Sequence, residues 1–278
     1  MTGTALAEAQ SAQRAAARAD VDVRELQSID DIMAAERLFA LVWGSSETMP
    51  SNLMRALAHS RNYVAGAFRA GDLVAASVAF AWGDTPALHS HISGVSPGNQ
   101  GHGVGYALKL HQRAWAAQRG IQTITWTFDP LIRRNAWFNL VKLGARVDGF
   151  HADFYGPMED GINGGDPTDR CVVTWPVCSD TGESTGEPGR PGRSECLPLL
   201  VLTEGPSGEP VLLGDVTGSD VVGCQIPADV VELRRRNPGL AREWRLALRQ
   251  SMGAAIGSGY VATSITREGC YILQRRPG

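Results

Sequence analysis

HSHISGVSPGNQGHGVGYAL (residues 89–108) reads as the end of a strand, a glycine-rich turn and the start of a helix. ALHSHISGV (87–95) is β-rich, and Pro97 stops it. From Tyr106 to Arg119, Leu108, Leu110, His111, Trp115 and Ala116 recur near helical spacing, with Gly120 as the stop. Between strand and helix lies Gln100-Gly101-His102-Gly103-Val104-Gly105. Glycines here let successive backbone N–H groups curl into one concavity, and the following helix adds its unpaired amides and positive dipole end. A pyrophosphate fits such a turn without any lysine.

The surroundings decide between folds that use such a turn. Upstream, VDVREL (21–26) alternates as a strand, and Ile29, Ile32, Met33, Leu38 and Leu41 mark a helix. A short helix follows Pro50, and NYVAGAF and LVAASVAF flank Arg69-Ala70-Gly71-Asp72 as a hairpin. Downstream, IQTITWTF (121–128) is a buried strand, 133–143 is helical, and VDGFHADFYG and CVVTWPV are strands. A dinucleotide-binding fold is the rival, with Asp129 as its ribose-binding acid. Its fingerprint is G-x-G-x-x-G directly after a strand. This chain has G-x-G-x-G, separated from the strand by Pro97, Gly98 and Asn99, and its upstream strands are hairpin-linked. The expected class is therefore α/β of the α+β kind: a mixed, mostly antiparallel sheet, splayed near Val95, with helices on both faces.

Val95-x-Pro97-x-x-Gln100-x-x-Gly103-x-Gly105 resembles the acyl-CoA motif of the GNAT superfamily of N-acyltransferases. Asn135-Ala136 followed by Lys142-Leu143-Gly144-Ala145 is similar to a second motif of that superfamily. The likeness covers about residues 21–177. WTFDPL (126–131), RNAWFN (134–139), FYG (154–156), DPTDR (166–170), IPAD (226–229) and GYVATS (259–264) look like a branch of predicted acetyltransferases with a C-terminal extension. The resemblance implies acetyl-CoA or another acyl-CoA as co-substrate, no metal, and direct attack of an amine on the thioester. It implies that Gln100, Gly101, His102, Gly103, Val104 and Gly105 hold the pyrophosphate. Ser93, Gly94 and Val95 would hydrogen-bond the pantetheine arm, and Asn135 would hold that arm from the other side. The N–H of Val95 or a neighbour would stabilise the oxyanion. One position departs from the pattern. Many members place a tyrosine four residues before the motif glycine, as general acid to the leaving thiolate; this chain has Leu140.

An ammonium nucleophile must lose a proton, which suits a base with pKa near neutrality. His91 is the leading candidate base. Its neighbour His89 lies on the same face of an alternating strand. Asp129 is a second candidate, against a role as a turn or capping residue before Pro130. Tyr155 is a candidate acid or substrate contact, against a role as a packed strand aromatic. Trp126 and Trp137 read as core. Asp169-Arg170 reads as a paired surface couple, with Arg170 also able to bind an acid group bidentately. The acceptor is expected to be a small-molecule amine. A catalytically silent acyl-CoA-binding or interaction module of the same fold is the alternative, and Leu140 favours it.

The bulk numbers set outer limits. The 278 residues are 43% hydrophobic and 20% charged, ordinary globular composition. A net charge of −3 with mixed signs is a poor match for nucleic-acid binding, and no apolar run is long enough to span a membrane. Five scattered cysteines without a C-x-x-C pair fit a reducing cytoplasm rather than a disulfide framework or zinc site. Residues 1–20 read as a loose tail, 21–177 as the acyltransferase domain, and the Gly/Pro/Ser/Glu-rich 178–195 as a linker. Residues 196–278 read as a small α+β unit whose helix from Asn237-Pro238 carries Leu240, Trp244, Leu248 and Met252 on one face. That face must be buried, against the first domain or against a second copy in a homodimer.

Overall fold

The computed structural model describes residues 3–44, 49–81, 86–156, 166–177, 198–214 and 218–276. They fall into two compact units, Met1–Trp126 with Pro176–Gly186, and Thr127–Trp175 with Glu187–Gly278. The expected linker at 178–195 lies outside the described residues.

In the first unit alternation builds the sheet. Helix α1 (Gly3–Arg18) leads into β1 (Asp22–Glu25), followed by α2 (Ile29–Trp43) and α3 (Ser51–His59). Strands β2 (Tyr63–Arg69), β3 (Asp72–Ala81) and β4 (Ala87–Val95) then run as a meander, α4 (Val104–Gln118) crosses over, and β5 (Thr123–Phe128) begins the return. Strands β1 to β4 pair antiparallel in sequence order, and β5 joins parallel to β4. Val64, Ala76, Val78 and Ile92 point to one face, where Ile32, Ala35 and Phe39 of α2 and Met54 of α3 cover them. Ala67, Val74 and Ala75 point to the other, against Val104 and Leu108 of α4. Each face thus presents small or β-branched side chains that admit a helix closely. Ser28 caps α2 by accepting from the Asp31 N–H.

The N-terminal segment differs from expectation. Residues 3–18 are a helix whose Ala5, Ala12 and Ala15 are buried, and α1 packs along α4. Buried Glu8 accepts from Arg113 Nε at 2.6 Å. An alanine stripe carries little hydrophobicity per residue, which is why its sequence looked like a tail. It gains instead from close helix–helix approach and one partly buried ion pair.

The second unit contains α5 (Arg133–Ala136), continued by a π-helical turn at Trp137–Lys142, then β6 (Arg146–His151) and β7 (Arg170–Pro176). After these come β8 (Leu199–Glu204), β9 (Pro210–Leu212), β10 (Val221–Gln225), α6 (Val230–Arg236), α7 (Pro238–Leu248), α8 (Ala254–Gly257), β11 (Tyr260–Ile265) and β12 (Cys270–Arg275). The strand order is β7-β6-β11-β12-β10-β8-β9. All neighbours are antiparallel except β8 and β10. The pairing of Ala262 with Val147 joins β11 to β6. Strands β8 to β12 continue the sheet that β6 and β7 begin. The expected strand through Tyr155 ends at His151, and a turn with Asp153 at φ 49° follows. Asn237 caps α7, and Trp244, Leu248 and Met252 are buried as the stripe requires. The Trp244 indole N–H donates to Gly208 O at 2.9 Å, which satisfies its polar edge.

Candidate active site

The glycine turn has the geometry its sequence implies. Gly98, Gly101 and Gly103 all take positive φ, at 84°, 83° and 82°. Gly103 caps α4 in this left-handed conformation, which a Cβ would strain. The backbone N–H groups from Gly101 to Tyr106 make no hydrogen bond among the described residues. They form a row of free donors at the positive end of α4. Side chains brace the turn from outside the row. Asn99 donates from Nδ2 to Ser96 Oγ at 3.0 Å, and Gln100 Nε2 donates to Val95 O at 3.2 Å. The Arg69 guanidinium donates to Asn99 Oδ1 and, at 2.7 Å, to Ala19 O beyond the end of α1. His102 lies exposed within the turn.

The strand entering this turn parts from its neighbour earlier than expected. Pairing of β4 with β5 runs Ala87↔Thr123, Leu88↔Ile124 and His89↔Thr125, then stops, while β4 continues to Val95. The splay begins at Ser90, not near Val95. Ser96 N–H donates back to Val74 O of β3 at 2.9 Å. N–H groups alternate in direction along a strand, so those of Val95 and Ser93 point to the other edge, the one that faces the gap. Gly94 allows a close approach on the α2 side: a Cβ there would lie 2.8 Å from the Trp43 ring.

A β-bulge falls inside this strand. Ile92 pairs with Val78 and Ser90 with Ala79, leaving His91 as the extra residue. The bulge turns His91 and His89 together away from the face of Ser93, with the His91 ring centroid 5.8 Å from Phe80 and 6.2 Å from His89. It also puts Ser90 and Ser93, three residues apart, on the face of α4. Burial lowers the pKa of His91. For His89 burial is again the main cause, with His91 and Lys109 adding to it. Both imidazoles are therefore neutral at pH 7. The unpartnered Thr125 Oγ1 is buried beside His89 at the last paired rung.

On the α4 face lies a polar chain that the sequence did not single out. Lys109 is 5% exposed. Its Nζ donates to Ser90 Oγ at 2.9 Å and to Gln112 Oε1 at 3.0 Å. It also sits 3.8 Å from the centroid of the buried Trp126 ring. Gln112 Nε2 donates to Ser77 Oγ at 3.3 Å, and Ser77 Oγ lies 2.7 Å from Ser93 Oγ. Burial lowers the Lys109 pKa to about 7, and the electron-rich indole face works the other way. Polar residues at helical spacing read as a solvated face, which is why only the structure finds them.

Asp129, Asn135 and Tyr155 belong to the second unit. Asp129 is 6% exposed and accepts from Arg234 Nη2 at 2.7 Å, Arg245 Nη2 at 2.9 Å and the Leu131 N–H at 3.0 Å. Burial would raise its pKa, but the charges and hydrogen bonds of Arg245 and Arg234 outweigh that and hold it below the usual carboxylate value. Asp166 extends this cluster to both arginines. Asp169 and Arg170 are also buried, not a surface couple. Asp169 accepts two hydrogen bonds from Arg249, at 2.6 and 3.0 Å. Tyr155 is half-exposed; its hydroxyl lies 3.1 Å from Thr127 Oγ1 and its ring 5.3 Å from the Arg170 guanidinium carbon. Asn135 is exposed and its N–H donates to Ile132 O at 2.9 Å. Leu140 is buried within the π-helical turn. Trp137 is only partly buried, unlike Trp126. Among the described residues no group of His, Cys, Asp and Glu is placed to hold a metal, and no helix is long and apolar enough to cross a membrane.

No protein-family model and no curated protein matches the chain. Solved structures do resemble it. The ribosomal-protein-S18-alanine N-acetyltransferase from Escherichia coli is 16% identical, across 59% of this chain and 97% of its own, with a TM-score of 0.47. An N-acetyltransferase from Staphylococcus aureus Mu50 is 10% identical, across 57% and 99%, at 0.48. A Salmonella typhimurium protein whose structure includes its cofactor acetyl-CoA is 14% identical, across 59% and 98%, also at 0.48. The chain is similar in fold to GNAT acetyltransferases.

Proposed function

We propose that this protein moves an acetyl or other short acyl group from acyl-CoA to the amine of a small molecule. The observation that carries this reading is the row of free N–H groups from Gly101 to Tyr106, placed directly after a strand whose Ser93 and Val95 N–H groups face an open gap. The row suits a pyrophosphate, and the open strand edge suits a pantetheine arm, whose amides pair with it as one more strand would. The Val95 N–H then polarises the thioester carbonyl.

His91 is the base. Its lowered pKa leaves it neutral at pH 7, able to take a proton from an ammonium whose own pKa is about 10.4. Asp129 is left out of the catalytic set, because both its oxygens are committed to arginines. Tyr155 is half-exposed and stays a candidate contact to the acceptor. Leu140 cannot protonate sulfur, but a CoA thiol resembles a free cysteine, of pKa about 8.5, and leaves as thiolate near neutral pH. Leu140 also favours a second reading, a module that binds acyl-CoA without catalysis. Thiol release from acetyl-CoA, followed across a panel of small amines, separates the two. Amine-dependent release supports transfer. Tight acetyl-CoA binding with no release on any amine supports the silent module.

A further inference from the structure

With Lys109 charged, the polar chain under β4 has a direction. An ammonium has three donors and no acceptor, so the atom of Gln112 at Lys109 Nζ is the carbonyl oxygen. The amide nitrogen then faces Ser77 and can only donate. Ser77 Oγ receives that hydrogen, and among the described residues Ser93 Oγ is the acceptor within reach of its own single proton. Ser93 therefore accepts from Ser77, and its hydroxyl proton is turned away from the buried chain. Ser93 is exposed, on the strand segment that no longer pairs with β5, and its backbone N–H already faces the gap.

We propose that the Ser93 hydroxyl is a catalytic hydrogen-bond donor to the thioester oxygen, held in that orientation by Lys109, Gln112 and Ser77 as positioning residues. The proposal rests on the acyl-CoA reading above. Ser93 Oγ and the Val95 N–H then make a two-donor site for the oxyanion. The bulge at His91 gives this arrangement its sense. In a regular strand His91 and Ser93 would share a face, but here His91 lies on the Phe80 face and Ser93 on the α4 face. Base and donor thus project from opposite faces of the strand that borders the gap. In the transfer the amine nitrogen bonds to the carbonyl carbon, and the carbonyl pair moves onto oxygen, where Ser93 stabilises it. The pair then returns, the C–S bond breaks and sulfur leaves as thiolate. The substrate ammonium first gives one proton to His91, which leaves the free amine to attack; the second proton, shed by nitrogen as the C–S bond breaks, goes to solvent, and Ser93 keeps its own proton throughout.

The test needs no knowledge of the acceptor. Acetyl-CoA labelled with ¹³C at the carbonyl is bound to the protein at pH 6, where Lys109 is charged, and the carbonyl stretch is read by infrared difference spectroscopy. Calorimetry and thermal melts confirm binding and folding of each variant. Binding to the wild type should lower the stretch, and Ser93→Ala should return it most of the way to the free value. Ser93→Thr should keep it low. Gln112→Glu decides the relay: it is nearly isosteric and keeps an acceptor for Lys109, but a carboxylate cannot donate to Ser77. Ser77 would then donate to it, Ser93 would donate to Ser77, and the stretch should rise as in Ser93→Ala although Ser93 is present. On any amine that is turned over, kcat for Ser93→Ala should fall roughly a hundredfold, the low end for losing one oxyanion donor, while acetyl-CoA affinity falls by about tenfold at most, the net worth of one neutral hydrogen bond. An unchanged stretch in folded, acetyl-CoA-bound Ser93→Ala overturns the proposal. A Gln112→Glu spectrum like the wild type overturns the positioning relay. A wild type that binds no acetyl-CoA overturns the acyl-CoA reading itself, and this inference with it.

Discussion

Replacing Asp129 by asparagine separates a structural carboxylate from a catalytic one. In the second unit Asp129 is 6% exposed and Arg245 1% exposed. The carboxylate accepts two hydrogen bonds from Arg245, at 2.9 and 3.3 Å, and one from Arg234 at 2.7 Å. Asparagine keeps the shape but removes the charge, and turns an N–H₂ group toward guanidinium donors. Arg245 is then left with Asp166, whose nearest oxygen is 3.5 Å away. Breaking a buried pair by neutralising one partner costs about 3–5 kcal/mol, because the other charge stays desolvated. For a chain of this size that lowers Tm by on the order of 10 °C. The pH dependence follows from the lowered pKa of Asp129. Its contribution is fully present above its unfolded value, about 3.9, and is lost as pH falls through the lower folded value. Denaturation midpoints of wild type and Asp129→Asn should therefore differ most at neutral pH and converge in acid. Acetyl-CoA affinity and turnover per folded molecule should hold. A variant as stable as the wild type but inactive would refute this reasoning and return Asp129 to the catalytic set.

Other expectations concern the first unit. His91→Ala should slow turnover roughly a hundredfold, the low end for a general base. The wild-type rate should rise with pH through a pKa below the ordinary histidine value, since burial lowers it, and the variant should lose that limb. Leu140→Tyr should change the rate little by comparison, as measured in the same assay. Ala12→Arg sets a long charged side chain where α1 meets α4 and should lower Tm, read by circular dichroism, while the sheet signature persists.

The glycine turn, the β2–β3 hairpin and the crossover helix were legible because each rests on local chemistry: φ-permissive glycines, turn residues, and one clear period. The missing parts are long-range. The arginines that hold Asp129 lie 105 and 116 residues away, so the carboxylate looked free for catalysis. A bulge has no signature in an alternating strand, so ALHSHISGV gave no sign that His91 and Ser93 face opposite ways. Helix α1 resembles a tail in sequence because its buried face is alanine, and its partner Arg113 is 105 residues from Glu8. Lys109 and Gln112 carry no sequence signal, since a lysine is buried only where groups such as Ser90 and Trp126 surround it.

The central claim, that the turn before α4 receives the pyrophosphate of acyl-CoA, rests on Gly103 and the N–H groups beside it. Calorimetric titration of acetyl-CoA into the wild type and Gly103→Asp tests it most directly. The substitution sets a carboxylate at the anion site and a Cβ at a φ of 82°, 3.6 Å from Ala19 Cβ. The account predicts one-to-one binding by the wild type and no measurable binding by a variant whose circular dichroism is unchanged. Equal affinity in both proteins, or no binding by the wild type, would contradict it.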